Sequence, residues 1–272
     1  MIPKENIDQI LNFGVIHGRG LCRSLIFNYP NKIQKSNFNF DNISVCTVIG
    51  SDCLGQSPLL HQNLFNKIKI IEVDTYIKFI TKLIEVYKYV SNNYDALPKY
   101  ILYVDGLDSL LLNSIEDPES LLKFYNCKIL FNTEQNFGSA GYIWPKTYSQ
   151  TRYNKLYEEY NLKHKNKFKT TSLCSLNAGV FLGEKSYIME LLPEAIKIME
   201  DSLDKGFPYG CSNDQLVLNW LLNEHYDLIS IDFFNKFSLW GGEFNFYNDP
   251  SYENFKINYN QQFLNDYINS NK

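Results

Sequence analysis

The 272-residue sequence has no run approaching the roughly 20 apolar residues of a membrane span. It has no Gly-x-Ser-x-Gly elbow and no Walker loop, so the usual signatures of serine hydrolases and P-loop enzymes are missing. Six cysteines, at 22, 46, 53, 127, 174 and 211, form no Cys-x-x-Cys pair and no zinc-like spacing. No disulfide framework is expected, and Cys46 and Cys127, set in apolar runs, read as small hydrophobes. Positive charge is not in excess: 26 Lys and Arg face 30 Asp and Glu, a net charge of -4. Nucleic acid and anionic membranes are therefore not expected partners. The first ten residues, MIPKENIDQI, lack the apolar core of a signal peptide, so a reducing, cytoplasmic location is expected.

What is present is an ordinary globular balance of 44% hydrophobic and 21% charged residues. It excludes a largely disordered, collagen-like or coiled-coil chain. At roughly 150 residues per domain, one large domain or two small ones fit. From about residue 43, compact apolar runs alternate with amphipathic segments. Strands are expected at 44–49, 68–73, 100–104, 128–132, 178–182 and 228–231. A helix capped by Asp74 or Thr75 presents Ile77, Ile80, Leu83, Ile84, Tyr87 and Val90 on one face, with Lys78, Lys82, Glu85 and Lys88 elsewhere. Asp117 caps a short helix opened by Pro118. Further helices start near Ser186, with Pro193 expected to kink the first, and at Ser212. This alternation predicts an α/β fold, a sheet flanked by helices and mostly parallel at its start. Residues 1–42 do not continue the pattern and are expected to form an extension packed on a single domain of residues 43–272.

Four constellations can carry chemistry. Asp105 and Asp108 follow an apolar strand, where open α/β sheets bind ligands. They can converge on a hard cation, or serve as a turn former and the cap of a short helix. Asp214, in Ser212-Asn213-Asp214-Gln215, is either part of a capping box or a carboxylate facing a cleft as base or charge stabiliser. Asn177 and Gly179 precede a strand and admit close approach of a ligand, unless Gly179 only relieves crowding. Trp144, on a long irregular stretch, offers a flat face to a sugar ring or anchors its loop. His17, His61, His164 and His225 show no mutual spacing for a metal site, and Gly18-Arg19-Gly20 follows no convincing strand.

In order, these segments resemble the glycosyltransferase domain of the procollagen lysyl hydroxylases and related collagen-type sugar transferases, over about residues 43 to 260. Asp105-Gly106-Leu107-Asp108 matches that family's Asp-x-x-Asp motif, and Trp144-Pro145 its Trp-Pro. Residues 176–183, LNAGVFLG, are similar to its Leu-Asn-Ser-Gly-Gly-Phe-Ile-Gly segment. Asn213-Asp214-Gln215-Leu216 matches its Asp-Asp-Gln-Leu, and Ile231-Asp232 its Leu-Asp strand. The resemblance implies a single GT-A (Rossmann-like) nucleotide-sugar-binding domain with a mixed sheet flanked by helices. It further implies a UDP-sugar donor, Mn2+ or Mg2+, and transfer of a hexose to a hydroxyl on a glycan or protein.

On the same resemblance, Asp105 and Asp108 hold the cation, while Thr47, Val48, Ile49, Gly50 and Asp52 meet the nucleoside. Asn177 and Gly179 line the sugar pocket, Asp214 acts as base or charge stabiliser, and Trp144 guards the acceptor side. Three departures accompany it. Leu107 replaces an aromatic that stacks on uracil, one carboxylate is lost at the helix start, and the C-terminal His-Gly-Asn-Gly ligand segment has no His. Asn258, in Ile257-Asn258-Tyr259-Asn260, is the nearest counterpart to that third ligand. A domain that binds nucleotide or glycan without turnover is the alternative.

Overall fold

The computed structural model describes residues 14–17, 40–62, 67–76, 79–134, 175–204, 214–225, 227–232 and 236–240. The main sheet has six strands: β2 (Ile43–Gly50), β3 (Ile68–Val73), β4 (Tyr100–Val104), β6 (Ile129–Glu134), β7 (Ser175–Glu184) and β8 (Ile229–Ile231). Their order is β3-β2-β4-β7-β6-β8. β2 pairs parallel with β3 and β4, and β7 pairs antiparallel with β4 and β6. The protein is thus mixed α/β, with its first three strands parallel as expected. A second sheet, in the order β5-β1-β9, joins Val15–His17 (β1), Ser109–Leu111 (β5) and Ser238–Trp240 (β9). β1 is its central strand, antiparallel to β5 and parallel to β9.

Among the described residues four α-helices flank the sheet: α1 (Ile80–Asn92), α2 (Pro118–Tyr125), α3 (Lys185–Asp204) and α4 (Asp214–Glu224). α1 packs against β2, β3 and α3, while α4 packs against β7 and α3. The core follows the apolar periods: Leu83, Val86 and Val90 of α1, and Ile188, Leu191, Ala195 and Met199 of α3, are buried against strand residues such as Ile101, Leu102 and Leu182. Pro193 lies inside α3. α2 starts as its sequence predicts, with the Ser120 amide donating to Asp117 Oδ1 at 2.9 Å. Asn126 ends it at φ 50°, a left-handed cap.

Three local expectations are corrected. α1 begins at Ile80, beyond the Asp74 or Thr75 cap, so Phe79 stands at its N-terminal boundary. Lys82, placed off the apolar face of that helix, is nevertheless 2% exposed, because two carboxylates receive its ammonium inside the protein. Asp108 caps no helix. It ends the turn that leads into β5, whose edge is completed by Gln62: its Nε2 donates to the Leu111 carbonyl (2.6 Å), and the Leu111 amide donates to its Oε1 (2.9 Å).

Candidate metal centre

β4 ends at Val104, and the chain turns at once through Asp105, Gly106, Leu107 and Asp108. The turn lies close on the end of β2. A Cβ at Gly106 would meet Ile49 Cγ1 at 2.2 Å and Thr47 Oγ1 at 2.8 Å, so only glycine fits there. The buried Ser57 hydroxyl donates to the Gly106 carbonyl and ties the turn from the other side. Thr47, Val48 and Ile49 are buried at the end of β2, with Gly50 closing the strand and Asp52 exposed just beyond it. Leu107 is half-buried.

Across the turn stands His17, the last residue of β1, paired in register with Ser109 of β5. Its Nε2 lies 3.3 Å from Asp108 Oδ1 and 3.7 Å from Asp105 Oδ2. One donor atom from each of the three residues lies within 4.8 Å of the others, and among the described residues this is the group able to hold a metal ion. Both imidazole nitrogens are buried without an aligned hydrogen bond. An imidazole nitrogen beside two carboxylates, with no aligned hydrogen bond of its own, is a donor set whose chemistry suits a divalent cation. Gly179 makes room for this arrangement: a Cβ there would sit 2.2 Å from His17 Nε2 and 2.9 Å from Asp105 Oδ2. It lies in a break in register between β6 and β7 at Phe131/Asn132, where residues 178–180 have no register partner in β6 and Val180 pairs with Val104 of β4. There the Asp105 amide donates to the Gly179 carbonyl at 2.7 Å. Asn177 is buried beside it, its Oδ1 accepting from the Gly179 amide at 2.9 Å.

The other carboxylate oxygen of Asp105 is engaged on the protein side. Oδ1 accepts from the Tyr103 hydroxyl at 2.6 Å and lies 3.4 Å from Lys82 Nζ, which leaves Oδ2 toward His17. Lys82 also donates to the Ala178 carbonyl (3.2 Å) and pairs with Asp214 Oδ2 at 2.6 Å. Asp214 is the first residue of α4 and is buried, so the helix start brings its carboxylate to the same lysine. The expected residues Asp105, Asp108, Asn177, Gly179 and Asp214 are therefore gathered in one place. Trp144, Asn258 and Ser212 lie outside the described residues.

Charge balance shapes the centre. Burial opposes the Asp105 carboxylate, but Lys82, His17 and Tyr103 outweigh it and hold its pKa down at about 2. Burial likewise pulls the His17 imidazole down, while Asp108 and Asp105 more than offset it and bring it up to about 10. The two aspartates also hold the Lys82 ammonium above its ordinary value against burial.

β1 corrects the expectation that no strand precedes Gly18-Arg19-Gly20, and His17, which ends it, stands beside Asp105 and Asp108 although the four histidines share no spacing of their own. The signal was present. His17-Gly18-Arg19-Gly20 has the spacing of a His-Gly-x-Gly segment, but it stands near the start of the sequence, far from the C-terminal position the resemblance implies.

No protein-family model matches the chain, and no curated protein does. The solved apo structure of mouse xyloside xylosyltransferase 1 is similar to it at 14% identity and a TM-score of 0.39, over 79% of this chain and 82% of that one. At that score the likeness carries no weight for fold or function.

Proposed function

We propose that the chain is a metal-dependent glycosyltransferase with a GT-A domain that moves a hexose from a UDP-sugar to a hydroxyl, on a glycan or on hydroxylysine of a collagen-like protein. The observation that carries the proposal is the convergence of His17, Asp105 and Asp108 at the carboxyl end of β4. It supports the motif order from which the family resemblance was drawn. The donor set fits a divalent cation on its chemistry: two carboxylates suit Mg2+ or Mn2+, and the imidazole shifts the preference toward Mn2+. We assign the third ligand position to His17 in place of Asn258. Residues 43–272 form the catalytic domain in this proposal, with His17 reaching in from residues 1–42.

When bound, the cation neutralises the charge that develops on the departing diphosphate. The chain's own residues do the rest. Tyr103 and Lys82 fix Asp105 so that Oδ2 faces the ligand position, and Gly179 leaves room for the imidazole. Thr47, Val48, Ile49, Gly50 and Asp52 meet the nucleoside at the end of β2. Asn177 and Gly179 line the sugar side. Asp214, held by Lys82, acts as base or charge stabiliser, and Trp144 stands on the acceptor side.

UDP release measured across a series of UDP-sugars, with Mn2+, Mg2+ or excess chelator, tests this. Mn2+-dependent release that is abolished in Asp105→Asn and His17→Ala is expected. Undiminished turnover in chelator overturns the metal role. The alternative, binding without turnover, is favoured by Leu107, which offers no ring for a base to stack on. Tight UDP binding by calorimetry with no release from any donor would establish it.

A further inference from the structure

Asp232 takes no part in the chemistry above, yet its carboxylate is fully buried. It lies just after β8, where the chain leaves the edge of the main sheet for β9 in the second one. Its own amide is spent on the main sheet, donating to the Phe131 carbonyl at 2.8 Å. Its two oxygens face donors. Oδ1 accepts from the Tyr125 hydroxyl at 2.5 Å and the Lys236 amide at 2.7 Å. Oδ2 accepts from the Phe237 and Ser238 amides at 3.0 and 2.9 Å, with the Ser238 hydroxyl at 3.2 Å. Three successive backbone N–H groups aimed at one carboxylate make an anion nest, here filled by the chain itself.

That nest fixes the start of β9, and β9 is one of the two strands holding β1. The Val15 amide donates to the Phe237 carbonyl at 2.9 Å, and Ser238, Leu239 and Trp240 lie in register with Val15, Ile16 and His17. A Cβ at Gly14 would sit 2.9 Å from the Phe237 oxygen, so the two segments approach closely. The other edge of β1 rests on β5, which follows directly on Asp108. One side of the histidine strand is therefore set by the aspartate turn and the other by Asp232.

We propose that Asp232 is a positioning residue for the cation centre, holding His17 in place through Phe237, Ser238 and β1 without touching the ion. This rests on the metal-binding role proposed above. An amide at 232 turns one acceptor into a donor that faces N–H groups, so β9 loses its anchor on that side. In the full chain, Asp232→Asn is expected to weaken Mn2+ binding about tenfold by calorimetry. In a His17→Ala background it is expected to make no further difference, because the coupling runs through the imidazole. Unchanged affinity in Asp232→Asn, or an equal loss with and without His17, overturns the proposal. If Asp232→Asn does not fold, Tyr125→Phe removes a single donor and is expected to weaken Mn2+ binding about threefold, again only with His17 present. Should the wild-type chain bind no Mn2+, the metal reading fails by itself. Hydrogen exchange then decides the positioning role: Val15–His17 amides exchanging at least about tenfold faster in the variant, with the amides of α1 unchanged, support it, and equal rates overturn it.

Discussion

Lys82 stands between Asp105 and Asp214 with its ammonium enclosed, so removing it leaves two carboxylates, that of Asp214 buried, without the cation they share. Lys82→Met is expected to lower stability by about 3–5 kcal/mol, the usual consequence of breaking a buried ion pair. Thermal melts check this, and the loss should shrink when Mn2+ replaces part of the missing positive charge near Asp105. Tyr103→Phe is gentler. It removes one hydrogen bond to Asp105 and nothing from the ring stack on Phe181, so it should weaken Mn2+ binding about tenfold by calorimetry with little change in melting. His17 gives the pH dependence. Its pKa rises from 6.5 unfolded to about 10 in the metal-free fold, so its stabilising effect is complete below pH 6.5 and lost as pH climbs toward 10. Melts of the metal-free protein should show that decline, and His17→Ala should lack it. Mn2+ must displace the same proton, so its affinity should rise with pH over the same window.

Elements that announce themselves locally were legible in the sequence. β3 and β4 have the expected bounds, and α2 begins at the Asp117-Pro118 signal because cap and proline act within one turn. Asp117→Ala should lower the melting midpoint slightly and change metal affinity little, since the cap stands at the opposite end of α2 from Tyr125, the residue that holds Asp232. β1, β5 and β9 were not legible. Each is three residues long, too short for any period to show, and each is a strand only by virtue of its partners. Lys82 was misplaced for a related reason: helical spacing sorts residues by apolar character, whereas this lysine turns inward for two aspartates contributed by distant segments.

For the molecule as a whole, the gathering of Asp105, Asp108, Asn177, Gly179 and Asp214 was legible in motif order, because the aspartates follow or open a patterned element and Asn177 and Gly179 lie within one. The third member of the proposed metal cluster was not, because its strand lies in a stretch set apart as an extension. A chain cut to residues 43–272 should bind Mn2+ at least about tenfold more weakly than the full chain and aggregate, since β5 and β9 would each lose the strand between them. The position of β1 has one more consequence. His17 is made before any strand of the main sheet, yet the strand beside it ends at Trp240, so the imidazole's seat is not complete until every strand of that sheet has been made. The parallel strands β2, β3 and β4 can assemble much earlier, from neighbouring stretches of sequence. In refolding followed by stopped flow, capture of Mn2+ should therefore lag behind formation of the sheet, making the ion a late witness that β1 and β9 have met.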